Sequence, residues 1–579
     1  MGFVIKQKTR PNKAGKVFTY VHFVVSSWSG KHGQARQKRV YLGKLGADGA
    51  TVWVDKVLAG GGAVSVGFDE LRSQAKEWSD AAAGMKALVG AQPVAAENPV
   101  AALSAAQVNG VATVGDVHVL DCVACGLELP ARLVAAFGEK DAAALLGLAM
   151  FQVTEGRAAY LACDWLEERE LPAWMSVCRR VDSEAVSALM HRVGVSARKR
   201  EHFFRCWLTD GGKGRAVVYD TTSLSTYAKS LLWAEYGYNR DGEALPQINV
   251  ALVSAAGTGR PLWYRSVPGS VPDVRNLRIT QDLLQEFGLE DATFCLDRGF
   301  YSSSNLKAML KNGIGFTIGV PFSLDATKAL VRRHARTLAS PKTSFMLNGH
   351  LMRHVADNWE IKCRAEDGGT RTLDVHLYLE PARQSGRETA LETTVLELEA
   401  KAGRESFTTT KEAREWLKEN AGSFAACFTV ARRDGQVGIH RSVAKLEEAA
   451  KYYGYTLILT TRKGCSGEDT LAEYRGRDMA EKLFDTLKNE NGQNRLRTGN
   501  DDVAEGRLFL AFLSLILNND LEQRLRRTGL LKKMTIAQFL ATLRKIKAVT
   551  TEQGTRHLLD VPKKCADLLE AGGFPPPHR

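Results

Sequence analysis

Tyr474 to Lys488 reads YRGRDMAEKLFDTLK, and it sets Tyr474, Arg477, Glu481 and Lys488 at offsets of 0, 3, 7 and 14. At about 100° per helical residue these four side chains fall within an arc of roughly 60°. Met479, Ala480, Leu483, Phe484 and Leu487 take the other side, so the stretch reads as a half-buried helix. Such a helix aims a carboxylate, two cations and a phenol at one partner. That set suits a metal ion beside a phosphodiester. The plainer alternative is a solvated face with charge pairs one turn apart.

Two upstream segments supply aspartates in the right setting. In GRAVVYDTTSLS the apolar run Ala216 to Tyr219 ends in Asp220, which reads as a buried strand leaving the core at a carboxylate. In DATFCLDRGFYSSSNL the run Thr293 to Leu296 ends in Asp297, followed by Arg298 and Gly299, with Ser303 or Ser304 available to cap the next helix. An aspartate at a strand end is often only a turn former. Together with the helical Glu481 the pair becomes a candidate acid triad.

Position for position, the 474–488 stretch resembles the Y-(2)-R-(3)-E-(6)-K signature of bacterial insertion-sequence transposases of the insertion-sequence-four group, including its sixteen-thirty-four branch. The resemblance implies a DDE transposase. Asp220, Asp297 and Glu481 would be the catalytic and metal-holding triad, and Tyr474, Arg477, Lys488 and Arg298 would contact DNA. The text between the two aspartates, QINVALVSAAGTGRPLWYRSVPGSVPDVRNL, also looks like the family. The implied activity is binding of transposon ends, metal-dependent DNA cleavage and strand transfer. Two other readings fit parts of the pattern: a ribonuclease H-like nuclease that cuts without transferring strands, and a domesticated DNA-binding protein. An intact triad argues against the last.

Phosphoryl transfer explains why these residue types are needed. Negative charge develops on the attacking and leaving oxygens, and two Mg²⁺ ions about 4 Å apart stabilise both. Mg²⁺, for which Mn²⁺ can substitute, takes oxygen ligands, so three carboxylates suffice and no histidine or thiol is required. The chain has no HExxH, no paired Cys/His zinc spacing and no Walker P-loop. Gly211 to Gly214, a GGKG run, precedes its strand and reads as a turn. Cys122 and Cys125 form the one CxxC, which reads as two packed thiols.

Length and charge point the same way. At 579 residues the chain should hold three or four domains, and its net charge of +13 favours a polyanionic partner such as double-stranded DNA, with an RNA-binding protein as the other class that charge allows. No run is long enough to span a bilayer and no apolar leader opens the chain, so the expected location is the cytoplasm, on the nucleoid when DNA is bound. A homodimer on DNA is compatible with this reading.

The expected organisation is multidomain α/β. Residues 1–58 carry ten Lys or Arg in their first fifty positions against Asp48 alone, and alternating runs at Phe18 to Val25 and Arg39 to Leu42 flank a Gly30 to Gly33 turn. This is a small basic β-module, suited to phosphate contact, or else a charged edge that discourages aggregation. Residues 59–115 read as a low-complexity linker. Residues 116–210 read as a helical domain for end recognition, ending in SARKREHFFRCW, which interleaves Arg198, Lys199, Arg200 and Arg205 with Phe203, Phe204 and Trp207. Residues 211–321 and 453–520 should form a ribonuclease H-like core, interrupted by a β-rich insertion at 322–452, because a loop of that length inside one domain is implausible. Relatives carry a β-rich insertion there, and in some of them an insertion tryptophan handles a flipped base, which singles out Trp359. Residues 521–579 complete the chain as a helical region that covers the catalytic sheet.

Overall fold

The computed structural model describes residues 2–8, 19–29, 34–45, 50–54, 65–76, 108–180, 182–208, 216–237, 243–269, 273–286, 289, 291–364, 369–433, 435–490 and 495–578. The chain forms two compact units, Met1–Asn109 with Thr550–His557, and Gly110–Val549 with Leu558–Arg579.

In the first unit five strands, Gly2–Lys8, Thr19–Ser29, Gln34–Leu45, Thr51–Val54 and Ser65–Gly67, pair antiparallel in chain order. The helix Phe68–Gln74 follows directly. Val21, Phe23, Leu42, Val52, Val66, Phe68 and Leu71 form the core of this unit. The alternation that suggested a β-module is therefore present, but the module needs residues up to Ala75, which lie inside the span expected to be a linker. The Gly30 to Gly33 turn lies outside the described residues, as does the Gly211 to Gly214 run.

The second unit is built on one large mixed sheet. Its strands are β1 Ala216–Thr226, β2 Gln247–Ala255, β3 Pro261–Pro268, β4 Thr293–Leu296, β5 Gly315–Gly319, β6 Ser344–Leu347, β7 His350–Lys362, β8 Thr370–Leu379, β9 Tyr455–Thr460 and the short β10 Arg495–Leu496. They run in the order β6-β7-β8-β9-β5-β4-β1-β2-β3, with β10 paired to the far end of β1. The pairs β1–β4 and β4–β5 are parallel, while the pairs along β1-β2-β3 and along β5-β9-β8-β7-β6 are antiparallel.

Asp220 was expected to end its strand, but β1 continues through Thr226. Thr221 and Thr222 are β-branched and favour strand, and the stretch to Ser225 pairs with β2 down to Gln247. What stops near Asp220 is the pairing with β4, whose last bonded partners are Cys295 and Val218.

The insertion is not mainly β. Its strand-like segments do form β6, β7 and β8, yet these join the central sheet instead of making a separate one, with β8 bonded to β9. Between and after them lie helices Asp325–Ala339, Pro381–Ala402, Thr410–Ala421 and Val443–Ala450, and one hairpin, Phe428–Arg433 with Gln436–Arg441. The helix from Pro381 escaped sequence reading because ALETTVLELEA mixes β-branched residues into a helical segment.

Helices Leu129–Phe137, Glu139–Glu155, Ser183–Val195 and Ala197–Leu208 match the helical segments read from the sequence. In the last of these Phe203 and Phe204 are buried against Phe509 and Phe512, and buried Trp207 stacks on Phe203, so the aromatics of the basic helix serve the core. Helix Asp501–Arg527 is buried on every side between Leu508 and Leu517. It is a central helix, packed on Glu139–Glu155, Ser183–Val195 and β3, instead of a one-sided cover. Burial of each of its large apolar side chains contributes about 1.5–3 kcal/mol.

Candidate functional site

The site forms where β1 and β4 run side by side. Thr293, Phe294 and Cys295 pair in parallel register with Ala216, Val217 and Val218. Carried two residues past its last bonded pair, this register would bring Asp297, just beyond the end of β4, level with Asp220 of β1. Because side chains alternate, both carboxylates share the face of Val218 and Cys295.

That face is covered by two short helices, α1 Gly467–Arg475 and α2 Arg477–Asp485. Ala480 of α2 is buried with Val218, Ala256 and Cys295, which lays α2 on the strands that carry the aspartates. Glu481 is the next residue, at the flank of that contact, with its side chain 63% exposed. Asp220 is only 5% exposed, and its Oδ1 accepts from the Thr221 backbone N–H at 2.8 Å. Asp297 ends β4 and caps the turn Arg298–Phe300, its Oδ1 accepting from the Arg298 N–H at 2.6 Å.

A single uninterrupted helix from Tyr474 to Lys488 is not what forms. The two helices meet at Gly476, whose backbone stays right-handed helical; a Cβ there would lie 1.9 Å from the Ala256 carbonyl oxygen, so only glycine allows this approach to the end of β2. Beyond Asp485 the chain widens into a π turn, Thr486–Glu490, which shifts the phase of every residue after it. Tyr474, Arg477 and Glu481 keep to one flank, with Arg477 reaching both of the others, while Lys488 lies within the π turn and out of that phase. Tyr474 points inward, 8% exposed, among Met352, Tyr378, Ile458 and Leu471. Lys488 sits on the π turn near Glu243, whose carboxyl is held low by Ser225 and Arg495 first and by Lys488 among the weaker influences.

Arg477 ties the remaining parts together. Its Nη1 donates to Asp297 Oδ1 at 2.5 Å and to the Tyr474 hydroxyl at 3.1 Å, while Nη2 lies 3.6 Å from Glu481 Oε1. The guanidinium also stands over the Tyr474 ring, 5.1 Å from its centre. Burial by itself would lower the Arg477 pKa, but Tyr474, Asp297, Glu481 and Asp478 outweigh it and hold the group above its ordinary value. Burial likewise raises the Tyr474 hydroxyl.

Gly319 is a site residue that the sequence reading passed over. A Cβ there would meet the Tyr474 hydroxyl at 2.2 Å and Arg298 Cγ at 2.7 Å, so the end of β5 must be glycine for the phenol to reach Arg477. The only sequence signal was a glycine closing a strand just before Pro321. Arg298 is exposed. Trp359 lies in β7 opposite Leu373 and packs half-buried against the main core.

The donor set fits a hard divalent cation. It offers carboxylate oxygens, and the nearest thiol, Cys295, is pushed up to about 12 by burial and by Glu473, so it stays protonated. Among the described residues no group of three or more His, Cys, Asp or Glu side chains is drawn together closely enough to hold a metal ion. The guanidinium of Arg477 occupies Asp297 and faces Glu481 instead. Cys122 and Cys125 are free thiols beside His118 and Asp121.

With this geometry in hand, comparison with known families is direct. Residues 211–517 match the family described as the transposase DDE domain. The match covers more than half of the chain, and the chain belongs to that family. A search of curated proteins finds no match. Asp220, Asp297 and Glu481 all fall inside the matched residues. Among the described residues no helix is long and apolar enough to cross a membrane.

Proposed function

We propose that this chain is a transposase of the insertion-sequence-four group, with a ribonuclease H-like core, which binds the ends of its element, cuts DNA and joins the freed 3′-hydroxyl to target DNA. The observation that supports the reading is the parallel register of β1 and β4, which run toward Asp220 and Asp297 on the face that α2 covers with Glu481 at its edge. Asp220, Asp297 and Glu481 would hold Mg²⁺, or Mn²⁺ in its place. Bound there, the cations would supply Lewis-acid stabilisation of the attacking and leaving oxygens.

The chain's own groups supply the rest. Asp220 is fixed by its strand and by the Thr221 N–H, so it is the rigid donor; Glu481, on an exposed helix flank, is the adjustable one. Arg477, Arg298 and Lys488 offer cationic groups to strand phosphates on the two sides of the carboxylates. The basic first unit adds charge for DNA in general, and the net charge of the chain is +13. A dimer on DNA and action in the cytoplasm, on the nucleoid, complete the reading.

Strand transfer separates this from a nuclease. Incubated with a labelled element end, plasmid target and Mg²⁺, the protein should yield end-to-plasmid joints that the Glu481→Gln protein does not form. Cleaved ends without joints would favour the nuclease.

A further inference from the structure

Arg477 is placed oddly for a side chain that only grips DNA. It is 17% exposed, it forks one nitrogen onto Asp297 and the other toward Glu481, and its Nε is buried with no hydrogen-bond partner among the described residues. Two of the three carboxylates of the site thus converge on a single guanidinium. A guanidinium and a divalent cation seek the same carboxylate lone pairs. Oδ1 of Asp297 already accepts from both Arg477 and the Arg298 N–H, which leaves that oxygen little room for a further partner.

We propose that Arg477 competes with the divalent cation for Asp297 and Glu481: it holds both carboxylates as their counter-ion, must leave Asp297 before a cation binds there, and is then free to take a strand phosphate. The proposal rests on the reading of Asp297 and Glu481 as metal-holding residues. No covalent bond changes and no proton moves. Withdrawal of one positive charge accompanies arrival of two, and a guanidinium left within about 5 Å of a divalent cation would be repelled. A phosphate oxygen is a suitable new acceptor, since it could satisfy the orphaned Nε and a terminal nitrogen together. Binding of the cation and gripping of the strand would then be coupled through one side chain.

This differs in sign from a positioning role. If Arg477 only oriented Glu481 for the cation, removing it would weaken cation binding. If it competes, removing it strengthens binding.

The test uses the full-length protein without DNA and Mn²⁺ as probe, with binding followed by calorimetry and by the electron paramagnetic resonance of free Mn²⁺. Arg477→Gln should bind Mn²⁺ about tenfold more tightly than the parent, the scale set by one nearby like charge at a partly buried site. Asp297→Asn should bind more weakly than the parent. Equal or weaker binding by Arg477→Gln, with Asp297→Asn still impaired, overturns the competition and leaves the metal-site reading standing. Binding that neither Asp297→Asn nor Glu481→Gln alters sinks the metal-site reading, and the competition with it. Should Arg477→Gln fail to fold, the parent decides: modification of Arg477 by phenylglyoxal, read by peptide mass spectrometry, should speed up on saturation with Mn²⁺. An unchanged rate refutes the proposal.

Discussion

Replacing Gly319 by alanine tests whether the packing of Tyr474 builds the site. The new Cβ would lie 2.2 Å from the Tyr474 hydroxyl oxygen, 3.0 Å from its Cζ and 2.7 Å from Arg298 Cγ. Comfortable contact needs about 3.5 Å or more, so the phenol must retreat by roughly 1.3 Å, whereas the exposed Arg298 can swing aside. Tyr474 has little room to retreat, being walled by Met352, Tyr378, Ile458 and Leu471. Overpacking of this kind costs about 1–3 kcal/mol, and losing the Arg477 to Tyr474 hydrogen bond adds about 1 kcal/mol. Urea unfolding followed by tryptophan fluorescence should therefore show a loss of about 2–4 kcal/mol in the transition of the second unit. A double-mutant cycle isolates the cause. In a Tyr474→Phe background the nearest atom of that side chain recedes from 2.2 to 3.0 Å, and Gly319→Ala should cost at least about 1 kcal/mol less than in the parent. Strictly additive losses, or a Gly319→Ala protein as stable as the parent, would refute the claim that Gly319 exists to admit the phenol.

Other outcomes follow from the same geometry. Asp220→Asn, Asp297→Asn and Glu481→Gln should each lower Mg²⁺-dependent end cleavage by orders of magnitude in a gel assay while end binding survives; retained cutting by Glu481→Gln would transfer the third role to Asp478 or Asp485. Deleting residues 1–76, which removes the whole sheet and helix of the first unit, should weaken DNA binding and flatten the slope of log affinity against log salt. An unaltered slope would assign those cations to solvent. Lowering the pH should destabilise the fold through His354 and His376, whose rings stack and share a 2.9 Å hydrogen bond. Burial, then the neighbouring His376, pushes His354 down to about 4, and burial lowers His376. Between pH 6.5 and about 4 the unfolded chain then binds more protons than the folded one, so stability is intact above 6.5 and drains away as pH falls through that window. Discounted for solvent screening of a part-exposed group, His354 accounts for about 1–2 kcal/mol of that loss. Comparing urea midpoints of the parent and His354→Gln from pH 7 to 4.5 checks it, and parallel curves would exclude the pair as the cause.

The residues of the site were readable in sequence to different depths, and the difference has a physical origin. Asp297 could be found because a four-residue apolar run followed by Asp-Arg-Gly is a local signal: the strand end, the cap and the turn are all made by neighbours in the chain. Asp220 was found, but its setting was misjudged, since the end of its pairing with β4 is fixed by where Thr293–Leu296 stops and not by anything in its own segment. The burial of Tyr474 was not legible, because the wall it packs against, Met352, Tyr378 and Ile458, comes from strands far from it in the chain, and the close approach at Gly476 is to the Ala256 carbonyl just past β2, more than two hundred residues earlier. The insertion follows the same rule. Its strands were visible as alternation, but their union with β9, which continues the central sheet and brings Met352 and Tyr378 against Tyr474, is a long-range pairing that no local period encodes. What this joining achieves is mechanical: the insertion forms the wall behind the phenol that holds Arg477 on Asp297, so changes in the insertion can reach the carboxylates without touching DNA.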